Sequence, residues 1–160
     1  MIKLKIITLG KLKEKYLKDA EAEYLKRLSG YAKCELVEIE PIRLADNPSQ
    51  AEIEKALKAE AELIFKKIPE NSAVAAMCIE GKQYSSEELS SLMFSKINGG
   101  AAALTFIIGS SYGLHPDVKA RADVKLSFSK MTFPHQLFRI MLLEQIYRGF
   151  KIEEGSKYHK

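Results

Sequence analysis

Apolar runs and helix-like segments alternate along this chain, which predicts an α/β fold with a mostly parallel sheet flanked by helices. Near-continuous apolar strands are typical of parallel sheets that are covered on both faces. No repeat or linker interrupts the pattern, so we predict a single domain over residues 1–160. Strands are expected at 2–9, 33–39, 73–79, 103–108 and 124–127, and helices at 13–30, 49–67, 85–98, from 116 onward and at 134–151.

Two of the predicted helices begin at recognisable capping sequences. Ser49 with Glu52, and Ser85 with Glu88, have the spacing of capping boxes, in which each side chain satisfies an amide at the helix start. These signals fix the start of both helices more firmly than apolar periodicity does.

The last predicted helix is apolar almost all round, which is more than one sheet face can cover. Leu142, Leu143, Ile146 and Phe150 form one stripe, and other apolar residues extend well beyond it. We therefore expect a second partner, most simply the same helix in another subunit of a homodimer.

Arg139 falls within that apolar stripe, so its guanidinium is expected to be buried. An isolated buried charge is too costly, and the side chain must be paired or hydrogen-bonded. Two interpretations stay open: a structural ion pair with an acidic side chain, or a place in a ligand site built by a dimer.

Composition narrows the function classes only moderately. With 160 residues, 46% of them hydrophobic, the chain can bury a core without disulfides or metals. The formal net charge of +4 permits an anionic partner without requiring one. Lys11, Lys13, Lys15 and Lys18 crowd together after the first strand, a pattern that favours a solvated helix face over a binding patch.

Cysteine, histidine and hydropathy patterns give no metal or membrane signal. Two cysteines and three histidines lie scattered, without zinc-type spacing, so no metal is predicted. Cys34 and Cys78 are expected to be small buried hydrophobes in a reducing compartment. No apolar run approaches the roughly 18 residues that span a bilayer, and the N-terminal run is interrupted by lysines. We expect a cytoplasmic protein.

Two loops that follow predicted strands are the candidate ligand-binding segments. Residues 109–113 (Gly-Ser-Ser-Tyr-Gly) leave a buried strand at the place where ligands bind in open α/β sheets, although such a sequence is often only a tight turn. Residues 128–133 mix apolar side chains with hydroxyls, which suits a pocket for an adenine or a thioether. The alternative is a plain connection in which Thr132 caps the last helix. His135 is either a surface residue or a phosphate contact, and His115 is expected to have no chemical role.

The C-terminal residues 157–160 (Lys-Tyr-His-Lys) are unusual for a terminus. Termini are often disordered, and that interpretation stays open. The alternative is a tail that folds over the ligand site and supplies a base, a stacking ring and phosphate contacts.

Taken together, several segments resemble the RlmH family, the SPOUT-class methyltransferases of the large ribosomal subunit. They are Lys11-Leu-Lys13, the glycine loop, the run from Leu126 through Ser-Phe-Ser-Lys-Met-Thr-Phe-Pro to His135, the run Glu144-Gln-Ile-Tyr-Arg148, and Tyr158-His-Lys160. The resemblance spans the whole chain. It implies a SPOUT-type fold with a C-terminal trefoil knot, a rare exception to unknotted topology.

The resemblance also implies an activity and its site. The family forms homodimers and uses S-adenosyl-L-methionine (SAM) to methylate N3 of a pseudouridine in the helix 69 loop of 23S rRNA, acting on the assembled 70S ribosome. By position, the residues expected to bind SAM are Met77, Gly109, Phe128, Ser129, Lys130, Met131, Thr132 and Phe133.

The residues expected to meet the nucleotide come from the last helix and the tail. His159 is expected to assist removal of the N3 proton, since histidine exchanges protons near neutral pH. Tyr158 is expected to stack on the base or hydrogen-bond to it, and Arg148 and Lys160 to contact substrate. Arg139 is a weaker candidate for rRNA or interface contacts.

One departure from the family pattern leaves alternatives open. The family commonly has two consecutive glycines where this chain has Gly109-Ser110. A positive φ at Ser110 would strain the loop and weaken cofactor binding. One alternative is therefore a non-catalytic ribosome-binding factor with a degenerate pocket. Another is a nucleotide-binding hydrolase, although no phosphate-gripping lysine follows the glycine loop.

Overall fold

The computed structural model describes residues 1–159, and within them one sheet of five strands carries helices on both faces. The strands are β1 (Ile2–Leu9), β2 (Ala32–Ile39), β3 (Ser72–Gln83), β4 (Ala103–Ile108) and β5 (Val124–Ser127). The helices are α1 (Lys15–Leu28), α2 (Gln50–Phe65), α3 (Ser86–Asn98), α4 (Pro116–Arg121) and α5 (His135–Glu153). The predicted fold class is confirmed, and the trefoil knot implied by the resemblance stays a prediction.

All neighbouring strands pair in parallel, in the order β2-β1-β4-β3-β5. The side chains of the central strand β4 are all buried, and they alternate between two cores. Leu104, Phe106 and Ile108 face a core completed by α1, α3 and α5, whereas Ile107 faces α2 and α4. This two-sided burial is the reason why the strands read as continuous apolar runs.

Both predicted capping boxes are present. The Ser49 hydroxyl accepts from the Glu52 amide at 3.1 Å, and the Ser85 hydroxyl accepts from the Glu88 amide at 3.0 Å. In return, the carboxylate of each glutamate accepts a hydrogen bond from the backbone amide of its serine. The second box fixes the start of α3, a helix that later contacts the C-terminal tail.

The apolar surface of α5 is largely covered within its own chain. This helix packs between α1 and α3 as well as on the sheet, and Leu142, Leu143 and Ile146 are fully buried. The helix therefore depends less on a second subunit for cover than its sequence indicated. The homodimer stays a prediction that must rest on other features.

Two expectations about individual side chains were wrong. Cys34 and Cys78 are only half-buried, because Cys34 lies on the edge strand β2 and Cys78 lies where β3 bends away from β5. Desolvation raises the pKa of Cys34 to about 11 and also raises that of Cys78, so neither is a ready thiolate.

Lys11 and Lys13 precede α1, which begins at Lys15, and so they lie on a loop instead of a helix face.

Candidate functional site

A cavity of about 380 Å³ lies at the carboxyl ends of β3, β4 and β5. This volume is in the range of small-molecule sites, and its position is the one where parallel sheets bind ligands. Seven of the eight residues predicted to bind SAM line it together: Met77, Gly109, Phe128, Ser129, Met131, Thr132 and Phe133. The eighth, Lys130, is exposed and is not among the lining residues. The role of these residues in binding SAM stays a prediction.

Gly109 is required by close packing of the loop against itself. A Cβ atom at this position would lie 2.5 Å from the Gly113 carbonyl oxygen and 3.0 Å from the Leu114 side chain. The return of the loop is fixed by the Gly113 amide, which donates to the Ser110 carbonyl at 2.8 Å. Gly113 has a φ of +86°, a backbone conformation that favours glycine. The turn therefore needs glycine at position 109 for lack of space and at position 113 for its backbone conformation.

Ser110 shows none of the strain expected from its departure. The non-glycine residues with positive φ within 1–159 are Asn47 and Asn71, so Ser110 lies in an ordinary backbone region. Ser110 is mostly buried, and its backbone pairs with that of Gly113 across the narrow turn. The positive φ that would have made serine strain the pocket is therefore not present.

The loop after β5 is shaped by its own hydroxyls and closed by aromatic rings. The Ser127 hydroxyl donates to the Ser129 carbonyl, and the Met131 amide donates to the Ser129 hydroxyl, each at 3.0 Å. The Phe128 and Phe138 rings meet at 4.9 Å between centroids, which ties the loop to α5. Thr132 does not cap α5: Pro134 occupies the cap position, with no side-chain bond. The capping interpretation of Thr132 is therefore wrong.

A bend in β3 supplies cavity walls that sequence reasoning missed. The strand runs four residues beyond the predicted end, and its pairing with β5 skips from Met77 to Lys82. Cys78, Ile79 and Glu80 lie in this irregular stretch and line the cavity. A Cβ at Gly81 would lie 2.7 Å from the β5 backbone. A glycine inside an apparent strand is the signal that predicts such a bend.

A second cavity of about 1050 Å³ adjoins the first at the carboxyl ends of β1 and β2. The two share four lining residues: Ser110, Ser111, Tyr112 and His135. Lys11, Lys13, Arg43 and Arg139 are among the residues that line only the larger one. Here the smaller is called the loop cavity and the larger the lysine cavity.

Arg139 is buried, 2% exposed, and is held by two carboxylates. Its Nη1 donates to Glu38 at 2.8 Å and to Glu21 at 3.2 Å, and its Nη2 donates to the Gly10 carbonyl at 3.0 Å. The interpretation of a structural ion pair is confirmed. The same contacts tie β1, α1, β2 and α5 together beside the lysine cavity, and the buried Nε has no partner within residues 1–159.

The described part of the tail is packed in place. The Tyr158 hydroxyl donates to Glu144 at 3.2 Å, and its ring packs against Tyr147 at 5.1 Å. Arg148 lies over the Tyr158 ring and contacts Glu144 at 2.6 Å, which raises the pKa of this arginine. Burial, followed by the Glu144 carboxylate, raises the pKa of Tyr158, so the phenol stays protonated at neutral pH. Lys160 lies outside the described residues.

His159 is held by both of its ring nitrogens. Nδ1 lies 3.1 Å from Arg148 Nη1, and Nε2 lies 2.6 Å from Glu87 Oε1. Arginine can only donate, so Nδ1 accepts, and Nε2 carries the proton that is donated to Glu87. The imidazole is thus oriented as a neutral tautomer whose basic nitrogen is covered by Arg148.

The tail and the loop cavity of one chain are far apart. Phe138 lies at the cavity, whereas Glu144 and Arg148, which hold the tail, lie six and ten residues further along α5. Six to ten helical residues span about 9 to 15 Å. Neither Tyr158 nor His159 lines either cavity. The described part of the tail, which ends at His159, therefore does not fold over the site of its own chain.

The two remaining histidines differ in environment. His115 is buried and caps α4, accepting from the Asp117 amide at 3.1 Å, which is consistent with a structural role. His135 lies at the junction of the two cavities. Neighbouring protein atoms partly desolvate its accessible ring and lower its pKa. A mostly neutral ring is a poor contact for phosphate.

Comparisons with known proteins cover the whole length of the chain. A family profile described as predicted SPOUT methyltransferase matches residues 2–159. This chain belongs to the SPOUT methyltransferase family. Two relatives named ribosomal RNA large subunit methyltransferase H, from Streptococcus sanguinis and Carboxydothermus hydrogenoformans, are 48% and 50% identical to it. Each alignment covers 99% of this chain and 100% of the relative, so the resemblance to the RlmH family is confirmed.

The described part of this SPOUT methyltransferase shows neither a metal-binding cluster nor a membrane-spanning helix. Within residues 1–159, no group of three or more histidine, cysteine, aspartate or glutamate side chains is arranged to hold an ion. Over the same range, no helix combines the length and apolarity needed to cross a bilayer.

Proposed function

We propose that this chain is a SAM-dependent methyltransferase that modifies N3 of a pseudouridine in the helix 69 loop of 23S rRNA. It acts in the cytoplasm on the assembled 70S ribosome. The observation that carries the proposal is the loop cavity, where seven residues predicted to bind SAM converge at the carboxyl edge of the sheet. Full-length relatives of 48–50% identity named rRNA large subunit methyltransferases support the choice of substrate.

The loop cavity has the chemistry that SAM requires. Its walls combine apolar side chains (Met77, Leu126, Phe128) with the backbone of the glycine loop, which Gly109 keeps close-packed. Such walls suit an adenine and a thioether, and backbone groups at the rim suit the polar ends of the molecule. When bound, SAM supplies an electrophilic methyl group.

The residues of the chain position the nucleotide and handle one proton. With SAM bound, N3 of the pseudouridine would lose its proton and take the methyl group, while the methyl–sulfur bond would break and leave the cofactor as a neutral thioether. We assign the proton to Nδ1 of His159, the nitrogen with the available lone pair, which must first exchange its contact with Arg148. Glu87 fixes the ring through Nε2 and stabilises the imidazolium. Tyr158 is a stacking surface or hydrogen-bond donor for the base, and Arg148 and Lys160 are substrate contacts.

The site is completed by a second copy of the chain. Within one chain the contacts that hold the tail lie about 9 to 15 Å along α5 from the loop cavity, too far for a proton acceptor. A homodimer that places the partner's tail over the cavity resolves this separation. Large apolar side chains at the starts of α1 and α5 and in the two loops of the loop cavity are exposed and suit such an interface: Tyr16, Leu137, Tyr112 and Met131.

Calorimetric titration with SAM, with ATP as control, tests the cofactor assignment. We expect saturable binding of SAM alone, followed by methyl transfer to 70S ribosomes from a strain that lacks this activity. Free 23S rRNA should be a poor substrate, because a net charge of +4 gives little grip on naked RNA. Binding of ATP, or efficient methylation of a protein-free transcript, would contradict the proposal.

The two alternatives find no support in the geometry. The non-catalytic factor depended on strain at Ser110, which has an unstrained backbone. The hydrolase needs a phosphate-gripping lysine at the glycine loop or a metal site. Within residues 1–159 the loop has no such lysine, and no metal-binding cluster is found.

A further inference from the structure

We propose that the lysine cavity is a subsite for phosphate groups of the rRNA strand that flanks the target nucleotide, with Lys11 and Lys13 as its contacts. This inference rests on the proposed function and names where the substrate backbone binds. Phosphate contacts supply a large share of the affinity in nucleic-acid recognition, and lysine side chains are common partners for them.

The first support is that the two cavities are continuous. Ser110, Ser111, Tyr112 and His135 line both. A nucleotide that presents N3 at the loop cavity therefore has its neighbouring backbone within reach of the lysine cavity. The larger volume of about 1050 Å³ suits a segment of chain better than a single small metabolite.

The second support is the distribution of charge around the lysine cavity. The wall between β1 and α1 contributes Lys11 and Lys13, both exposed and without an ion-pair partner within residues 1–159. The opposite wall, after β2, is mixed: it has Arg43 but also Glu40 and Asp46. The basic wall is therefore the β1–α1 loop, and an anion would bind on that side.

The third support is that the backbone of this loop is fixed at both ends. The Gly10 amide donates to the Ile39 carbonyl at 2.8 Å, and the Gly10 carbonyl accepts from Arg139 at 3.0 Å. The Lys13 amide donates to Gln136 Oε1 at 2.8 Å, which joins the loop to the start of α5. A fixed backbone lowers the entropy lost when the lysines engage a ligand.

The β1–α1 loop, which carries Lys11 and Lys13, is thus connected through the start of α5 to the loop cavity, where SAM is proposed to bind. Gln136 follows His135, which faces both cavities, and Arg139 lies one helical turn further on. Arg139 is a positioning residue here, because it acts on the loop and does not itself reach solvent.

The test replaces Lys11 and Lys13 by alanine in the full-length protein. Both side chains are exposed, and alanine keeps the Lys13 amide that bonds to Gln136, so the fold should be retained. Binding to 70S ribosomes is measured by sedimentation across a salt series, and methylation kinetics are measured alongside. We expect affinity to fall about tenfold or more and the salt slope to decrease by about one to two. The KM for ribosomes should rise while kcat and SAM affinity stay near wild type.

The matched control removes two lysines at the opposite edge of the sheet. Lys66 and Lys67 are exposed and follow α2, just before β3 begins. Their double alanine variant loses the same charge but should bind ribosomes with the wild-type salt slope. A K11R/K13R variant should restore binding, because it keeps both positive charges.

Two results would overturn the inference. One is an unchanged affinity and salt slope in K11A/K13A, and the other is an equal loss in the Lys66/Lys67 control. A wild-type protein that neither binds SAM nor methylates ribosomes would instead refute the proposed function. The sedimentation result would still decide whether the lysines bind ribosomes.

Discussion

The loop cavity and the C-terminal tail are built by different forces. Close backbone packing forms the cavity: Gly109 and Gly81 leave no room for a Cβ atom, and the strands beneath are buried. Charged side chains hold the tail, with Arg148 and Glu87 gripping the two nitrogens of His159. The cavity is therefore fixed by folding, whereas the tail contacts are exchangeable and pH-sensitive.

This difference indicates separate roles for the loop cavity and the tail in the proposed reaction. A rigid cavity suits a cofactor that must be held in one orientation for in-line displacement. A tail held by exchangeable hydrogen bonds to charged side chains suits residues that must rearrange when the nucleotide arrives. In the proposed dimer, a partner subunit brings together the two regions that lie apart within one chain.

The largest expected effect comes from His159, the proposed proton acceptor in the tail. His159→Ala should lower kcat for ribosome methylation by roughly 100-fold to 10,000-fold, the usual range for loss of a general base. SAM affinity should not change, because His159 does not line the loop cavity. Single-turnover kinetics and calorimetry measure the two quantities separately.

Lys157→Ala is the matched control for this variant, since Lys157 is an exposed neighbour in the tail. It should keep the wild-type kcat. Methylation at the wild-type rate by His159→Ala would refute the assignment of the base.

The next largest effect concerns the cavity. Gly109→Ala places a Cβ 2.5 Å from the Gly113 carbonyl oxygen, so the loop must shift. SAM affinity should fall by about 100-fold, which corresponds to the cost of overpacking a fixed site. Calorimetric titration measures this loss directly.

Gly30→Ala is the matched control for Gly109→Ala. Its nearest neighbour would lie 3.9 Å from the added Cβ, so the fold should accept the methyl group. If Gly109→Ala bound SAM like Gly30→Ala, the loop cavity would not be the cofactor site.

A smaller effect is expected from pH at the tail. The hydrogen bond from His159, followed by a backbone hydrogen bond, lowers the pKa of Glu87 in the folded protein. The contact is thus fully formed above the ordinary pKa of glutamate, about 4.3, and is lost as the pH falls through the lowered value. Hydrogen exchange at residues 156–159 should accelerate over that range. Glu87→Gln should remove this pH dependence, and an identical acceleration in that variant would contradict the assignment.

The smallest effect is expected at Ser110. Because its φ lies outside the left-handed region, Ser110→Gly should change SAM affinity by no more than about twofold. Thermal unfolding should show a loss of stability of up to about 1 kcal/mol, from the greater freedom of glycine in the unfolded chain. A large gain in affinity would show that serine does constrain the pocket.

Much of the fold could be predicted from the sequence, because its local signals agree with its global pattern. The capping boxes at Ser49 and Ser85 and the buried strand at 104–108 are each determined by residues that lie close together in the sequence. The bend in β3 was missed, since its cause is the approach of Gly81 to the distant β5. The burial of α5 within its own chain was also not predicted, because the hydrophobic pattern of this helix does not show that α1 and α3 flank it.

The site was predicted less completely, for a physical reason. The cavity residues follow strand ends, and strand ends meet at one edge of a parallel sheet. The contacts of the tail depend on side chains far apart in sequence, such as Glu87 and His159. The larger lysine cavity likewise joins segments from β1, β2 and α5, and no local motif marks it.

Mixing two variants with complementary defects tests most directly whether cavity and tail form one site across two copies. Gly109→Ala and His159→Ala proteins are unfolded together, refolded and assayed on 70S ribosomes at a SAM concentration too low to fill the Gly109→Ala cavity. If the tail acts on the partner's cavity, half of the dimers carry one intact site, and activity should recover to about a quarter of wild type. If the mixture stays as inactive as each variant alone, cavity and tail do not combine across the dimer, and the composite site is wrong.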